Sequence, residues 1–338
     1  MQNVREIENI TAERFASDVV GQSRPAVFRG FLRDWPIVQA GLASDEEFCR
    51  YISRFDRGYG INTAFGAPSI AGRFFYNDDL SGLNCRLSES KLAQSLDYLL
   101  AHRDDAAPPA LSIQSVVISR YLPGLEAENR LPPGMIPQGI EPRLWMGNRG
   151  TVAAHYDPSE NLACAVAGRR RFTLFPPEQV GNLYIGPFEL TPAGAVISMV
   201  DFDHVDRERY PRFQEAETAA QVADLEPGDA IYIPYLWWHH VRSLNPVNGL
   251  VNFWWSRVPE RCGDPRNVLM HAIAAIRHLP PEYRAAWRAM FDHYVFDPAQ
   301  NAGQHLPPDR RGILGEPDKD AITRFRMGLS RALSRIRD

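Results

Sequence analysis

Two hydrophobic periodicities divide the chain. From Leu111 to Val258 apolar residues fall in short or alternating runs separated by Gly, Pro, Asn and Asp, the pattern of many short strands. The clearest strands are expected at 111–118, 143–147, 152–157, 162–166, 170–175, 230–234, 239–244 and 250–258. On either side the apolar residues instead recur three and four apart. Thr11 and Ser44 read as helix N-caps, and Ser44-Asp45-Glu46-Glu47 forms a capping box ahead of Phe48, Tyr51 and Ile52. Residues 25–30 read as a strand, and 90–102 as a helix with Leu92, Leu96, Leu99 and Leu100 on one face. After Asp264 three helices are expected: one with Val268, Leu269, Ala272, Ile273 and Ile276 on a face, one over 282–296 and one over 320–337.

Eight central strands of this size suit a jelly roll or small barrel, a mainly β fold with flanking α structure, N-terminal helices and a C-terminal helical segment. The expected divisions are a mixed flank at 1–110 packed on the core, a catalytic core at 111–260 and a C-terminal helical segment at 261–338.

Composition narrows the function. A chain of 338 residues with 44% hydrophobic and 23% charged residues is globular rather than disordered or fibrous. Its apolar runs are far shorter than the ~20 residues that cross a bilayer, so no membrane association is expected. Residues 1–10 carry Arg5, Glu6 and Glu8 and no apolar stretch, which speaks against a classical signal peptide. The four cysteines form no CxxC pair, which fits reduced thiols and a cytoplasmic location. A net charge of −4 gives nucleic acid no basic footprint.

The sharpest chemical signal is His155-Tyr156-Asp157, because residues two apart on a strand face the same side. A third ligand candidate lies in the run from Gly228 to Val241, which ends in Trp237-Trp238-His239-His240. Two histidines and one carboxylate make the facial set that holds Fe(II) with coordination positions open. Parity separates the paired histidines: His239 shares a face with Val241, whereas His240 shares one with Arg242 and reads as an exposed or supporting histidine. The same argument separates three arginines. Arg170 lies on the face of Phe172 and Leu174 and so points inward, where its charge needs a carboxylate partner.

The stretches HYDPSENL, GRRRFTLFPP, VDFDHVDRERYPRF, GDAIYIPYLWWHHV and VNFWW, with VFRGFLRDWP and RFFYND upstream, resemble the cupin-like branch of the Jumonji C oxygenases. The likeness is strongest to the asparaginyl-hydroxylase branch that inhibits hypoxia-inducible factor. It implies a double-stranded β-helix (cupin/jelly roll) core and an Fe(II)- and 2-oxoglutarate-dependent dioxygenase (hydroxylase) that uses O2 to hydroxylate a C–H bond of a protein or peptide side chain. By that resemblance His155, Asp157 and His239 hold the metal, and Arg170 stands where the family has a lysine for the distal carboxylate of 2-oxoglutarate. Asn161 and Asn252 match amides near the cosubstrate, while Ser112 and Thr151 fall at or beside its other carboxylate partners. Trp254 matches an aromatic wall, and Tyr76 and Gln114 match substrate-side residues. Ile197 replaces the glutamine that recognises a target asparagine, a departure that argues against that substrate.

Two other readings fit the residues: the same chemistry on a small-molecule metabolite, and a metal cupin independent of 2-oxoglutarate. In the resembling branch the C-terminal helices form a homodimer. Here Ile322, Phe325, Leu329, Leu333 and Ile336 recur near heptad spacing, so a homodimer through that segment is expected.

Overall fold

The computed structural model describes residues 1–192, 194–258, 263–296, 302–315 and 318–334. It separates into two compact units, Met1–Ser256 and Arg257–Asp338.

The first unit is a sandwich of two β-sheets with helices on its outer side, a jelly-roll arrangement. One sheet orders its strands β1-β11-β10-β13-β8-β4. They are β1 (Gln2–Asn3), β4 (Arg73–Phe74), β8 (Gly150–Tyr156), β10 (Arg170–Phe175), β11 (Gln221–Leu225) and β13 (Trp238–Ser243). The other orders them β2-β12-β9-β14-β7-β6-β3-β5. It comprises β2 (Ala26–Phe28), β3 (Gly60–Gly66), β5 (Arg86–Lys91), β6 (Ala110–Val117), β7 (Arg143–Gly147), β9 (Glu160–Ala167), β12 (Ala230–Ile233) and β14 (Asn248–Trp255). All eight strands expected from alternation are present, two with the expected bounds and the rest displaced by at most three residues at an end. Residues 1–110 also contribute five strands to the two sheets, so this segment is hydrogen-bonded into the sandwich as well as packed on it.

Strand β9 shows how sequence shapes the interior, for it is buried along its whole length. Leu162, Cys164 and Val166 face the N-terminal layer, where they join Ile37, Val38, Phe48 and Ile52 from the helices Pro36–Ala43 and Asp45–Ser53. The alternate residues, Ala163 and Ala165, face the interior beside Phe172, Leu174, Ile231 and Val241. Large residues outside and alanines inside let the helices pack closely while leaving space between the sheets. The edge strand β5 carries Arg86, Glu89 and Lys91 on a largely exposed backbone, charges that discourage pairing with another chain.

The Gly228-Asp229 turn ties the N-terminal segment to the sandwich. Gly228 has φ 99°, a left-handed conformation that favours glycine. Asp229, mostly buried, accepts hydrogen bonds from Gly30 N at 2.8 Å and Glu226 N at 3.1 Å, and from Arg29 Nη1 at 2.7 Å. The expected caps are also in place: Thr11 accepts from Arg14 N and Ser44 from Glu47 N.

In the second unit the helices are Pro265–Ile276, Pro281–Phe291 and Lys319–Leu333, with a π-helical turn, Asp292–Phe296, extending the second. Ile336 and Arg337, expected at the end of the last helix, lie outside the described residues. None of these helices has a buried residue, and Val268, Leu269, Trp287, Met290, Phe325, Leu329 and Leu333 are all exposed. Among the described residues no helix is long and apolar enough to cross a membrane.

Asp229→Ala leaves two backbone N–H groups without their acceptor and removes one of the partners of Arg29, and should lower unfolding free energy by about 2–3 kcal/mol in urea denaturation. A loss under 0.5 kcal/mol would show that the turn holds without the carboxylate.

Candidate metal centre

The site forms where β13 pairs antiparallel with β8. His239 lies directly opposite His155, and Asp157 follows just past the end of β8. Its position is set by the turn before β13, in which Leu236 donates its N–H to Asp157 O at 3.1 Å. Leu236 adopts φ 61°, a strained conformation for a non-glycine residue that brings the Trp237-Trp238-His239 run back onto β8. A register shift follows between His239 and Val241.

The ligand atoms of His155, Asp157 and His239 all lie within 4.8 Å of one another. The two imidazoles are 4.2 Å apart between centroids, and His239 Nε2 is 3.5 Å from Asp157 Oδ2. Each ring makes a backbone contact through Nδ1, His155 to Ala153 O at 2.9 Å and His239 to Trp237 O at 3.1 Å. A carbonyl only accepts, so Nδ1 carries the proton and Nε2 is left as a lone-pair donor, the arrangement that orients a metal-binding histidine. Burial, reinforced by the neighbouring His239, pushes His155 down to about 4, which keeps the ring neutral. Burial alone would raise the Asp157 carboxyl, but His239, His155 and the Trp254 indole hold it below the ordinary carboxylate range. Asp157 Oδ2 is nevertheless buried without a hydrogen-bond partner, a costly arrangement that a bound cation would satisfy. Two imidazole nitrogens and a carboxylate form a donor set suited to Fe(II).

A cavity of about 170 Å³ opens from this cluster into the space between the sheets. Arg170 lies along it, opposite Ser243 in the register of β10 and β13, two pairs beyond Phe172–Val241. It is only 6% exposed, its Nε has no hydrogen-bond partner, and no acidic side chain among the described residues pairs with it. Burial pushes the guanidinium down to about 10, which leaves it charged at neutral pH. Arg171, one residue on, points outward and pairs with Asp224 at 2.7 Å. An unpaired buried guanidinium fits an incoming carboxylate, which it can grip through two parallel N–H groups.

Of the other residues singled out by sequence, Ser112, Gln114, Thr151, Asn161, Ile197, Asn252 and Trp254 all line the cavity. Tyr76 does not. It is buried against Ala153 and Ile197, with its hydroxyl donating to Leu190 O at 2.9 Å, and thus supports the wall from behind. His240 corrects the expectation of an exposed ring. It faces away from the cavity but is buried beneath Phe202, at 4.4 Å between stacked rings, because ion pairs Arg73–Asp201 and Arg242–Asp203 hold that loop over the sheet. Sequence reading missed Trp145 and Ser243. Trp145 donates its indole N–H to Asn252 Oδ1 at 2.9 Å and meets Trp254 edge-on at 5.7 Å. Strand parity was signal enough for Ser243, which shares the face of His239 and Val241.

A model of the cupin-like domain matches residues 12–261. The chain belongs to the cupin-like Jumonji C family. It is 35% identical over 266 residues to Jumonji C domain-containing protein 5 of Drosophila melanogaster, covering 75% of this chain and 60% of that protein. It is 38% identical over 277 residues to HSPB1-associated protein 1 of Rattus norvegicus, covering 73% and 52%. A shorter stretch of 117 residues is 38% identical to Lysine-specific demethylase JMJ30 of Arabidopsis thaliana, covering 34% of this chain and 26% of that one. The chain therefore spans between half and three fifths of the length of the first two relatives.

The geometry predicts one metal ion per chain. Asp157→Ala and His239→Ala should each abolish Fe(II) binding in anaerobic native mass spectrometry, whereas His240→Phe, which keeps the stack on Phe202, should retain it. Metal lost with His240 but kept without His239 would contradict the assignment.

Proposed function

We propose that this chain is an Fe(II)- and 2-oxoglutarate-dependent oxygenase that hydroxylates a C–H bond of a protein or peptide side chain. One observation carries the reading: two imidazoles and a carboxylate converge at one end of a cavity in which a buried guanidinium has no acidic partner among the described residues. His155, Asp157 and His239 would hold the metal, which together with 2-oxoglutarate and O2 supplies the oxidant for an unactivated C–H bond. The chemistry so supplied would place one oxygen atom in the substrate hydroxyl and the other in succinate, with CO2 released.

The residues of the chain bind, orient and exclude water. Arg170 would anchor the distal carboxylate of 2-oxoglutarate, with Ser243, Thr151 and Ser112 as hydroxyls along the same cavity. Asn161 and Asn252 offer amides toward the metal end, and Asn252 is aimed by its bond from Trp145. Trp254, Phe172 and Val241 close the walls and lower the local dielectric, which strengthens the pairing of Arg170 with a carboxylate.

A protein substrate is supported by the relatives, two of which are named as a lysine-specific demethylase and as an HSPB1-associated protein. A cytoplasmic setting is supported by free thiols at Cys49, Cys85 and Cys164; Cys262 lies outside the described residues. The C-terminal unit is proposed to form a homodimer, since its exposed apolar faces need a partner.

Arg170→Met should raise the 2-oxoglutarate concentration needed for half-saturation by roughly 10- to 100-fold, the equivalent of ~1.5–3 kcal/mol for a charge-assisted contact. Anaerobic calorimetry on the Fe(II)-loaded variant checks this, and an unchanged affinity would remove Arg170 from the role. For the dimer, Phe325→Asp with Leu329→Asp should give a folded monomer in sedimentation velocity. A wild-type chain that already sediments as a monomer at micromolar concentration would rule the assembly out.

A further inference from the structure

The wall of the cavity nearest the metal-binding atoms is apolar and fixed. Ile197 forms a backbone bridge with His155, and Phe74 pairs with Val152 at the other end of the same strand. Ala153, Cys85, Pro192 and Ala195 complete this side of the lining. The segment carrying Ile197 is pinned on both flanks, with Gly186 N donating to Ile197 O at 2.9 Å and Ser198 N to Ala154 O at 2.7 Å. Behind it Tyr76 packs against Ala153 and Ile197. Ile197 therefore has no room to withdraw, and the described side chains beside it, Phe74, Ala153, Cys85, Pro192 and Ala195, carry neither charge nor amide.

Charge is equally restricted. Apart from the histidines, the charged side chains lining the cavity are Asp157 and Arg170 alone among the described residues. The oxygenase reading commits the first to the metal and the second to 2-oxoglutarate. No charge is left among the described lining residues to neutralise a guanidinium or an ammonium, and Ile197 itself offers no partner to a carboxamide. The cavity is also small, about 170 Å³ against the ~300–1,000 Å³ of an ordinary ligand pocket, so beside the cosubstrate it admits only a compact group.

Resting on the oxygenase reading, we infer that the group presented for hydroxylation is an uncharged, compact aliphatic side chain of the size of leucine, isoleucine or valine. Ile197 and Val152 are the residues that select it. Each acts by contact with the substrate: Ile197 beside the metal, and Val152, which is 39% exposed, at the rim. Leucine and asparagine have nearly the same shape, so the wall discriminates between them by polarity. An asparagine amide brought against Ile197 loses water there without gaining a partner from that residue.

The test uses the full chain loaded with Fe(II) and 2-oxoglutarate under anaerobic conditions. The probes are acetylated, amidated nonapeptides identical except for a central Leu, Asn, Arg or trimethyl-lysine, and the same four residues as capped single amino acids. The Leu probe should bind at least tenfold more tightly than the other three. Preference within the peptides identifies a protein substrate, and preference confined to the capped amino acids identifies a small-molecule one; either supports the aliphatic class. Ile197→Gln should cut the Leu-to-Asn ratio by tenfold or more. Because that position is buried, the rim variant Val152→Glu serves as a second check and should shift the Leu-to-Arg ratio toward Arg. Tighter binding of Asn, Arg or trimethyl-lysine by the wild type, ratios unmoved in both variants, or no probe bound by a chain that does bind 2-oxoglutarate would each overturn the inference. A wild-type chain that binds Fe(II) but no 2-oxoglutarate would overturn the oxygenase reading itself, and the inference with it.

Discussion

The antiparallel register between β8 and β13 is the constraint on which the site depends. A slip of one residue would put His240 opposite His155 and turn His239 out of the cavity, because side chains alternate faces along a strand. Three features hold the register. Leu236 bonds to the Asp157 carbonyl, β10 pairs with β13 from Phe175–Trp238 through Arg170–Ser243, and His240 is clamped on the outer face under Phe202. His155, His239 and Arg170 thus belong to one sheet, and their separation is set by its backbone hydrogen bonds. This is a sound base for a site that must keep two charged groups apart in a cavity of low dielectric.

The opposing sheet contributes space and walls. Alanines on the inner face of β9 leave the cavity open, while Trp145 and Trp254 close it with a polar contact to Asn252. Burying Arg170 and Asp157 without full pairing opposes folding, and the close packing of Phe172, Leu174, Ile231 and Val241 beside them offsets that cost. Stability is withheld at the site and supplied by the surrounding core.

Much of this was legible in the sequence, and for one reason: inside a two-sheet sandwich, strand parity is enforced by burial. Parity alone distinguished His239 from His240 and Arg170 from its two neighbours, and the structure places all of these on the faces so derived. It failed where the backbone leaves a regular strand. The register shift beside His240, the loop that covers that ring and the bridge that brings Ile197 to His155 involve residues from 38 to 89 apart in sequence. Their pairing is decided by tertiary contacts that no local pattern records. Strands β3, β5 and β11 escaped notice because their polar residues, such as Asn62, Glu89 and Asp224, break the apolar alternation on exposed faces. Tyr76 shows the opposite error, since an aromatic matched by motif proved to be a support behind the wall.

The central claim is that one cavity holds a metal through His155, Asp157 and His239 while Arg170 holds the far end of a 2-oxo acid. Anaerobic titration of 2-oxoglutarate into the Fe(II)-loaded chain tests it most directly, followed by the visible charge-transfer absorption of a 2-oxo acid chelated to Fe(II). The account predicts that the absorption appears with one equivalent of metal, saturates, and is absent in Asp157→Ala. An Fe(II)-loaded wild-type chain that shows no such absorption at millimolar 2-oxoglutarate would contradict it.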